Sequence, residues 1–181
     1  MQRKFVGGSV ILCIDCSGSM SGYPLQQAVR GAERFIGEAF DGKYDVGLML
    51  WSDRVDVYVP LAPTATAAAR ALSAATIYGG TDLMPALWQC QRDLAGLDGD
   101  RVVAIFSDGG VSRLDEVLQT VAEMKADNVR FVTRGLGYGA SWLESISSEG
   151  AADVTVQSAE TLADDIAGMS QSLRLGRPRR T

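Results

Sequence analysis

The sequence of 181 residues contains no histidine. Ser-His-Asp and Cys-His nucleophile pairs, histidine general bases and histidine-ligated zinc are therefore excluded. Any binding or chemistry must use carboxylates, hydroxyls and backbone groups. This absence narrows the range of functions more than any other feature of the composition.

Cysteine and long apolar runs are also scarce. The three cysteines (Cys13, Cys16, Cys90) are an odd number in a chain long enough to build a core without disulfides. The apolar run 10–14 is too short for a signal peptide, and no stretch approaches the ~20 apolar residues of a membrane span. We therefore expect a protein of the reducing cytoplasm with no membrane contact.

An excess of positive charge is missing as well. The formal net charge is −5, which argues against binding to nucleic acid. Basic residues cluster only in the segment 174–181, which has no apolar residue after Leu175 and is predicted to be a flexible tail. The preceding residues, 1–173, have the length and composition of one globular domain.

Short apolar runs alternate with helical patterns along the chain. Segment 55–61 alternates apolar and polar residues and contains Pro60, which predicts an antiparallel edge strand. The whole pattern predicts an α/β fold: a doubly wound, mostly parallel six-stranded sheet with helices on both faces, similar to a Rossmann fold. The other predicted strands are 9–15, 46–51, 101–107, 129–134 and 153–156, and the predicted helices are 24–39, 64–75, 83–97, 114–124, 141–148 and 159–173.

Three loops bring oxygen-bearing side chains to the carboxyl edge of this sheet, where open α/β sheets bind their ligands. They are Asp15-Cys16-Ser17-Gly18-Ser19, Gly79-Gly80-Thr81-Asp82 and Ser107-Asp108-Gly109-Gly110. Hydroxyl and carboxylate oxygens without nitrogen or thiolate suit a hard divalent cation. The small number of carboxylates favours Mg²⁺ over Ca²⁺, with Mn²⁺ as an alternative.

D-x-S-G-S after the first strand, G-G-T-D before a helix and S-D-G after the fourth strand together resemble the von Willebrand factor A domain, over nearly the whole chain. The resemblance implies a metal-ion-dependent adhesion site. Ser17 and Ser19 would bind the metal directly, Thr81 directly or through water, and Asp15 and Asp108 mostly through water. The S-D-G form and the lack of disulfides are similar to the intracellular bacterial branch of the family.

Two carboxylates only balance the charge of a divalent ion, and hydroxyl ligands leave it able to accept one more anion. We therefore expect a non-enzymatic binding module in which a Glu or Asp of a partner protein completes the metal shell. The resemblance suggests an assembly that contains an AAA+ ATPase or a stress or conflict-system protein. Four aromatic residues near these loops either form a partner-binding surface or only pack the loops: Tyr23, Tyr78, Tyr138 and Trp142.

The alternative function is a metal-dependent phosphatase or hydrolase with Asp15 as its nucleophile. The position of Asp15 at the end of the first strand favours it, as in haloacid-dehalogenase-like phosphatases. Those enzymes need a second aspartate two residues further on, and Ser17 occupies that position here.

Two other motifs are weaker. Cys13 and Cys16 match C-x-x-C, but a strand separates their α-carbons by ~10 Å, which is too far for a disulfide. The segment 135–140 matches G-x-G-x-x-A outside the first βα turn, so we interpret it as a flexible rim loop beside the metal site rather than a dinucleotide loop. Asp82 is predicted to cap the following helix and not to bind the metal.

Overall fold

Six strands form one sheet in the computed structural model, which describes residues 7–150, 154–156 and 158–175. The strand order is β3-β2-β1-β4-β5-β6, and only the β2–β3 pair is antiparallel. The predicted six-stranded, Rossmann-like sheet with one antiparallel edge strand is confirmed. The strands are β1 (Gly8–Asp15), β2 (Asp45–Trp51), β3 (Val55–Ala62), β4 (Asp100–Ser107), β5 (Val129–Leu136) and β6 (Thr155–Val156).

Helices cover both faces of the sheet, as predicted. They are α1 (Tyr23–Asp41), α2 (Thr66–Leu72), α3 (Met84–Leu94), α4 (Leu114–Ala126), α5 (Trp142–Ile146) and α6 (Leu162–Leu175). Helix α6 runs two residues past the predicted domain boundary. The rest of the predicted tail, 176–181, lies outside the described residues, as does Asp153 at the start of the last predicted strand. None of the helices in the described part of the chain is long and apolar enough to cross a membrane.

The apolar core is divided by the sheet because successive strand residues point to opposite faces. Leu12 and Cys16 lie in the cluster under α1, α2 and α6, whereas Cys13 lies in the cluster under α3, α4 and α5. Cys13 and Cys16 therefore lie on opposite faces of the sheet, an arrangement that is unfavourable for a disulfide between them. The nearest sulfur to Cys13 Sγ is instead that of Cys90, 3.7 Å away, and all three cysteines are buried free thiols.

The topology places the carboxyl ends of β1 and β4 side by side at the centre of the sheet. From β1 the chain proceeds outward to β2 and β3, then crosses back to β4 on the other side of β1. This reversal of direction is the switch point at which open α/β sheets form a crevice. The loops after β1 and β4 therefore meet there.

Helices α1 and α6 pack unusually closely at Gly31. A Cβ atom added to Gly31 would lie 2.7 Å from the carbonyl oxygen of Ala163 and 2.7 Å from Cβ of Ile166. No real Cβ is found so close to a backbone oxygen, so an alanine here would force the two helices apart. Gly37, on the same helix, has no atom within 4 Å of such a Cβ.

We expect Gly31→Ala to lower the free energy of unfolding by about 1–3 kcal/mol, because overpacking displaces α6. The matched substitution Gly37→Ala should raise the free energy of unfolding by about 0.5–1 kcal/mol. At this exposed helical position alanine meets no neighbour and only lowers the backbone entropy of the unfolded chain. Urea denaturation followed by circular dichroism measures both. Equal effects of the two substitutions would contradict the close helix contact.

Candidate metal centre

The carboxylate of Asp15 is fully buried at the end of β1. Its Oδ1 accepts a hydrogen bond of 2.8 Å from the backbone N–H of Ser17, and its Oδ2 accepts one of 2.7 Å from the hydroxyl of Ser107. The loop after β1 thus holds one oxygen, and the end of β4 holds the other. The sequence analysis did not identify this role of Ser107. A serine at the end of a buried apolar strand indicates that its hydroxyl has a polar partner, and this pattern was visible in the sequence.

Burial raises the pKa of the Asp15 carboxyl, and the negative charge of Asp108 adds to the rise. The hydrogen bonds from Ser107 and Ser17 act in the opposite direction because they stabilise the ionised form. Burial has the larger effect, so the ionised carboxylate is held at a cost in free energy. A cation beside Asp15 would remove that cost.

The hydroxyls of Ser17 and Ser19 connect Asp15 to Asp108. Ser17 is buried, and its hydroxyl lies 3.1 Å from that of Ser19. A single 3₁₀ turn, Gly18–Met20, brings Ser19 over the end of the neighbouring strand, where its hydroxyl donates a 2.7 Å hydrogen bond to Oδ1 of Asp108. Four of the five predicted ligands therefore lie in one continuous set of short polar contacts.

Thr81 lies beside this set because its loop is bound to the loops on both sides. The backbone N–H of Gly18 donates to the carbonyl of Gly79 at 3.0 Å, and the N–H of Ser112 donates to the carbonyl of Thr81 at 2.8 Å. Among the described residues, no hydrogen bond joins the Thr81 hydroxyl to the other four side chains. These backbone contacts hold its loop between the loops that follow β1 and β4, and its part in the site stays a prediction.

Asp82 caps the following helix, as predicted. Its Oδ1 accepts a hydrogen bond of 3.0 Å from the N–H of Met84, the first residue of α3. Its other oxygen forms an ion pair with Arg113, a partner that the sequence analysis did not identify.

The segment 137–140 forms the rim next to Asp108. A Cβ added to Gly139 would lie 3.3 Å from Cα of Gly109, so the two loops pack in close contact. The indole N–H of Trp142 donates a 2.9 Å hydrogen bond to the carbonyl of Gly109. The loop therefore lies beside the loop of Asp108, as predicted, and its role as the rim of a metal site stays a prediction.

The four aromatic residues differ in exposure. Tyr138 is 97% exposed, and Tyr23 and Tyr78 are also exposed, but Trp142 is only 8% exposed. Trp142 therefore does not belong to a partner-binding surface: it packs into the core and fixes the Gly109 carbonyl. The alternative of loop packing is correct for this residue, and the surface role stays a prediction for the three tyrosines.

The donor set fits a hard cation. Within the described ranges, no three Asp, Glu, Cys or His side chains converge as a metal-binding group. A cation here would depend on hydroxyls in addition to two carboxylates. Mg²⁺ suits such a site because it keeps several of its waters, whereas Ca²⁺ usually collects more protein oxygens.

A family model, the von Willebrand factor type A domain, matches residues 10–111, which is more than half of the chain. The chain belongs to this family. A von Willebrand factor A domain-containing protein of Dictyostelium discoideum is 29% identical in an alignment of 148 positions that covers 70% of this chain. The chain spans only 16% of that relative's length.

Solved structures share the fold. The domain of the type V pili tip protein Mfa5 from Porphyromonas gingivalis matches with a TM-score of 0.80 at 11% identity, over 97% of both chains. Proximal thread matrix protein 1 from the mussel byssus, solved with a zinc-occupied MIDAS motif, matches with a TM-score of 0.71 at 18% identity. That match covers 93% of this chain and 45% of the mussel chain. The proposed kinship with intracellular bacterial members stays a prediction.

We expect Asp15→Asn to raise the midpoint of thermal unfolding of the metal-free protein at pH 7. The asparagine still accepts from the N–H of Ser17, but it removes a buried charge. Because the folded state favours the neutral carboxyl, ionisation costs stability as the pH rises above the ordinary pKa of aspartate. Scanning calorimetry in EDTA measures the shift.

The control is Asp45→Asn, which neutralises an exposed aspartate at the start of β2 and should leave the midpoint unchanged. A lower midpoint for Asp15→Asn would show that the carboxylate stabilises the fold without a cation, contrary to this account.

Proposed function

We propose that this von Willebrand factor A domain binds a partner protein through a divalent cation, Mg²⁺ or Mn²⁺, held by Asp15, Ser17, Ser19, Thr81 and Asp108. The observation that carries the proposal is the set of short contacts from Asp15 through both serines to Asp108, at the switch point of the sheet. Three loops separated along the chain converge on it. A buried carboxylate with a raised pKa lies at its base.

Each residue has a distinct part in this proposal. Ser17 and Ser19 offer neutral hydroxyls as direct ligands, and Thr81 offers a third. Asp15 and Asp108 balance the charge, mainly through water. A bound cation would supply a Lewis acid with one coordination position open to a carboxylate of the partner, a Glu or an Asp.

The mussel protein supports the choice of a divalent cation, since its motif of the same kind was found occupied by zinc. A borderline-soft ion such as zinc accepts oxygen ligands but prefers nitrogen and sulfur. The site here offers only oxygens, so Mg²⁺ remains the ion of choice. The three exposed tyrosines complete the proposed contact surface, because aromatic side chains supply large contact areas in interfaces.

Domains of this family are generally adhesion or interaction modules, and the geometry is unfavourable for the phosphatase alternative. A nucleophilic carboxylate must reach the substrate, whereas Asp15 is fully buried with both oxygens engaged in hydrogen bonds. We therefore propose a non-catalytic role. A Mg²⁺-dependent turnover of phosphate esters that Asp15→Asn abolishes would reverse this conclusion.

The proposed setting is the bacterial cytoplasm, in an assembly with an AAA+ ATPase or a stress or conflict-system protein. It is supported by the free thiols of Cys13, Cys16 and Cys90, which form no disulfide. Burial, together with the charges of Asp15 and Asp56, raises the pKa of Cys16 to about 12, so this thiol is protonated at neutral pH in the metal-free protein.

We expect Mn²⁺ or Mg²⁺ to stabilise the wild-type protein against unfolding, by about 2.7 kcal/mol at a concentration 100 times the Kd. Ser19→Ala should weaken this binding at least about tenfold, because it removes a direct ligand and the link to Asp108. Isothermal calorimetry measures both. Ser21→Ala is the matched control: an exposed serine two residues further along the same loop, whose removal should leave the affinity unchanged. Equal affinity of all three proteins would contradict the ligand assignment.

Capture of the partner should require both the cation and the exposed tyrosines. We expect immobilised wild-type protein to retain a partner that EDTA releases, and Thr81→Ala to retain less of it. Tyr138→Ala should reduce capture without changing the metal affinity. Tyr58→Ala, which truncates another exposed tyrosine, in the middle of β3, is the control and should have no effect. Retention in EDTA would show that the partner does not bind through the metal.

A further inference from the structure

Arg113 has a backbone conformation that its side chain does not favour. Its φ is +54° and its ψ is +43°, in the left-handed region that costs a non-glycine residue roughly 1–2 kcal/mol. The residue lies between β4 and α4, five positions after Asp108. A glycine would adopt this conformation without strain. The arginine side chain must therefore contribute something that offsets the cost.

The guanidinium of Arg113 makes three contacts, two of them with the segment that follows Thr81. It forms an ion pair with Oδ2 of Asp82, and its centre lies 5.3 Å from the centroid of the Trp88 ring on α3. A weaker contact of 3.5 Å reaches Glu116 on its own helix. The side chains of Arg113 and Asp82 are 35% and 22% exposed, so the pair is partly shielded from water.

Asp82 is fixed at both carboxylate oxygens and at its backbone N–H. Its Oδ1 caps α3 at the N–H of Met84, its Oδ2 is held by Arg113, and its own N–H donates a 2.7 Å hydrogen bond to the carbonyl of Ser52. Next to it, the Thr81 carbonyl accepts from Ser112, the residue before Arg113. The strained arginine thus lies where the loops of Thr81 and Asp108 are joined.

Asp82 is a potential additional ligand of the cation because it directly follows Thr81. If its carboxylate entered the metal shell, the site would gain a third negative charge. Such a site binds Ca²⁺ better, and it has less need of a carboxylate from another protein. A cation that depends on its partner therefore requires that Asp82 point elsewhere.

We propose that Arg113 is a positioning residue that holds the Asp82 carboxylate away from the cation and so keeps the site dependent on hydroxyls and on the partner. This inference rests on the proposed function. The ion pair would then determine whether Asp82 binds the cation, whereas a purely structural ion pair would affect only the stability of the fold.

The test compares the ratio of Ca²⁺ affinity to Mg²⁺ affinity, by calorimetry, in wild type, Arg113→Gly, Asp82→Asn and the double variant. Glycine suits the left-handed conformation, so the fold is retained while the guanidinium is lost. We expect Arg113→Gly to raise the ratio about tenfold. Asp82→Asn alone should leave it near the wild-type value, and the double variant should restore that value.

Rescue by Asp82→Asn is the decisive outcome, because a general loss of loop structure would not be repaired by a second substitution. An unchanged ratio in Arg113→Gly, or the same rise in the double variant, would overturn the inference and leave the proposed function intact. Absence of metal binding by the wild-type protein would overturn both.

Thermal unfolding of the metal-free variants checks that each is folded. If Arg113→Gly does not fold, Arg113→Lys replaces it, since lysine keeps the charge but lacks the planar fork that holds the carboxylate. Arg113→Lys should raise the ratio by a smaller factor, and Asp82→Asn should again reverse the rise. An unchanged ratio in Arg113→Lys would overturn the inference.

Discussion

The carboxyl edge of the sheet is organised around one energetically unfavourable group, the buried carboxylate of Asp15 at the end of the central strand. Burial raises its pKa, and the hydrogen bonds from Ser107 and Ser17 oppose that effect. A domain without a use for the charge would be more stable with an apolar residue there. This cost in stability is consistent with the proposed cation site, where the charge would be used for binding.

The remaining contacts at this edge of the sheet hold the loops in one arrangement. Each loop is tied by backbone hydrogen bonds to its neighbour, and the loop that carries Asp108 is also held from the outside by the Trp142 indole and the close contact of Gly139 with Gly109. Such fixation matters because a hydroxyl is a weak ligand, and two or three hydroxyls bind a metal well only when they are already in position.

The number of carboxylates determines how much of a cation's charge the proposed site would neutralise. Two carboxylates, Asp15 and Asp108, lie close enough to raise the pKa of the buried one. A third, Asp82, is directed to a helix end and to Arg113 instead. The proposed ligand set thus contains two carboxylates, which would neutralise a divalent ion and leave it able to bind one more anion. The proposed adhesion through a partner's carboxylate requires this remaining capacity.

Much of this was readable in the sequence. The absence of histidine, the short apolar strands and the three motifs determined the fold class and the five candidate ligands, because strand ends and helix starts place loop residues at one edge of a sheet. Contacts between segments distant in sequence could not be predicted in this way. The burial of Trp142, the role of Ser107 and the pairing of Arg113 with Asp82 depend on how loops dozens of residues apart pack together, and only the tertiary structure decides that.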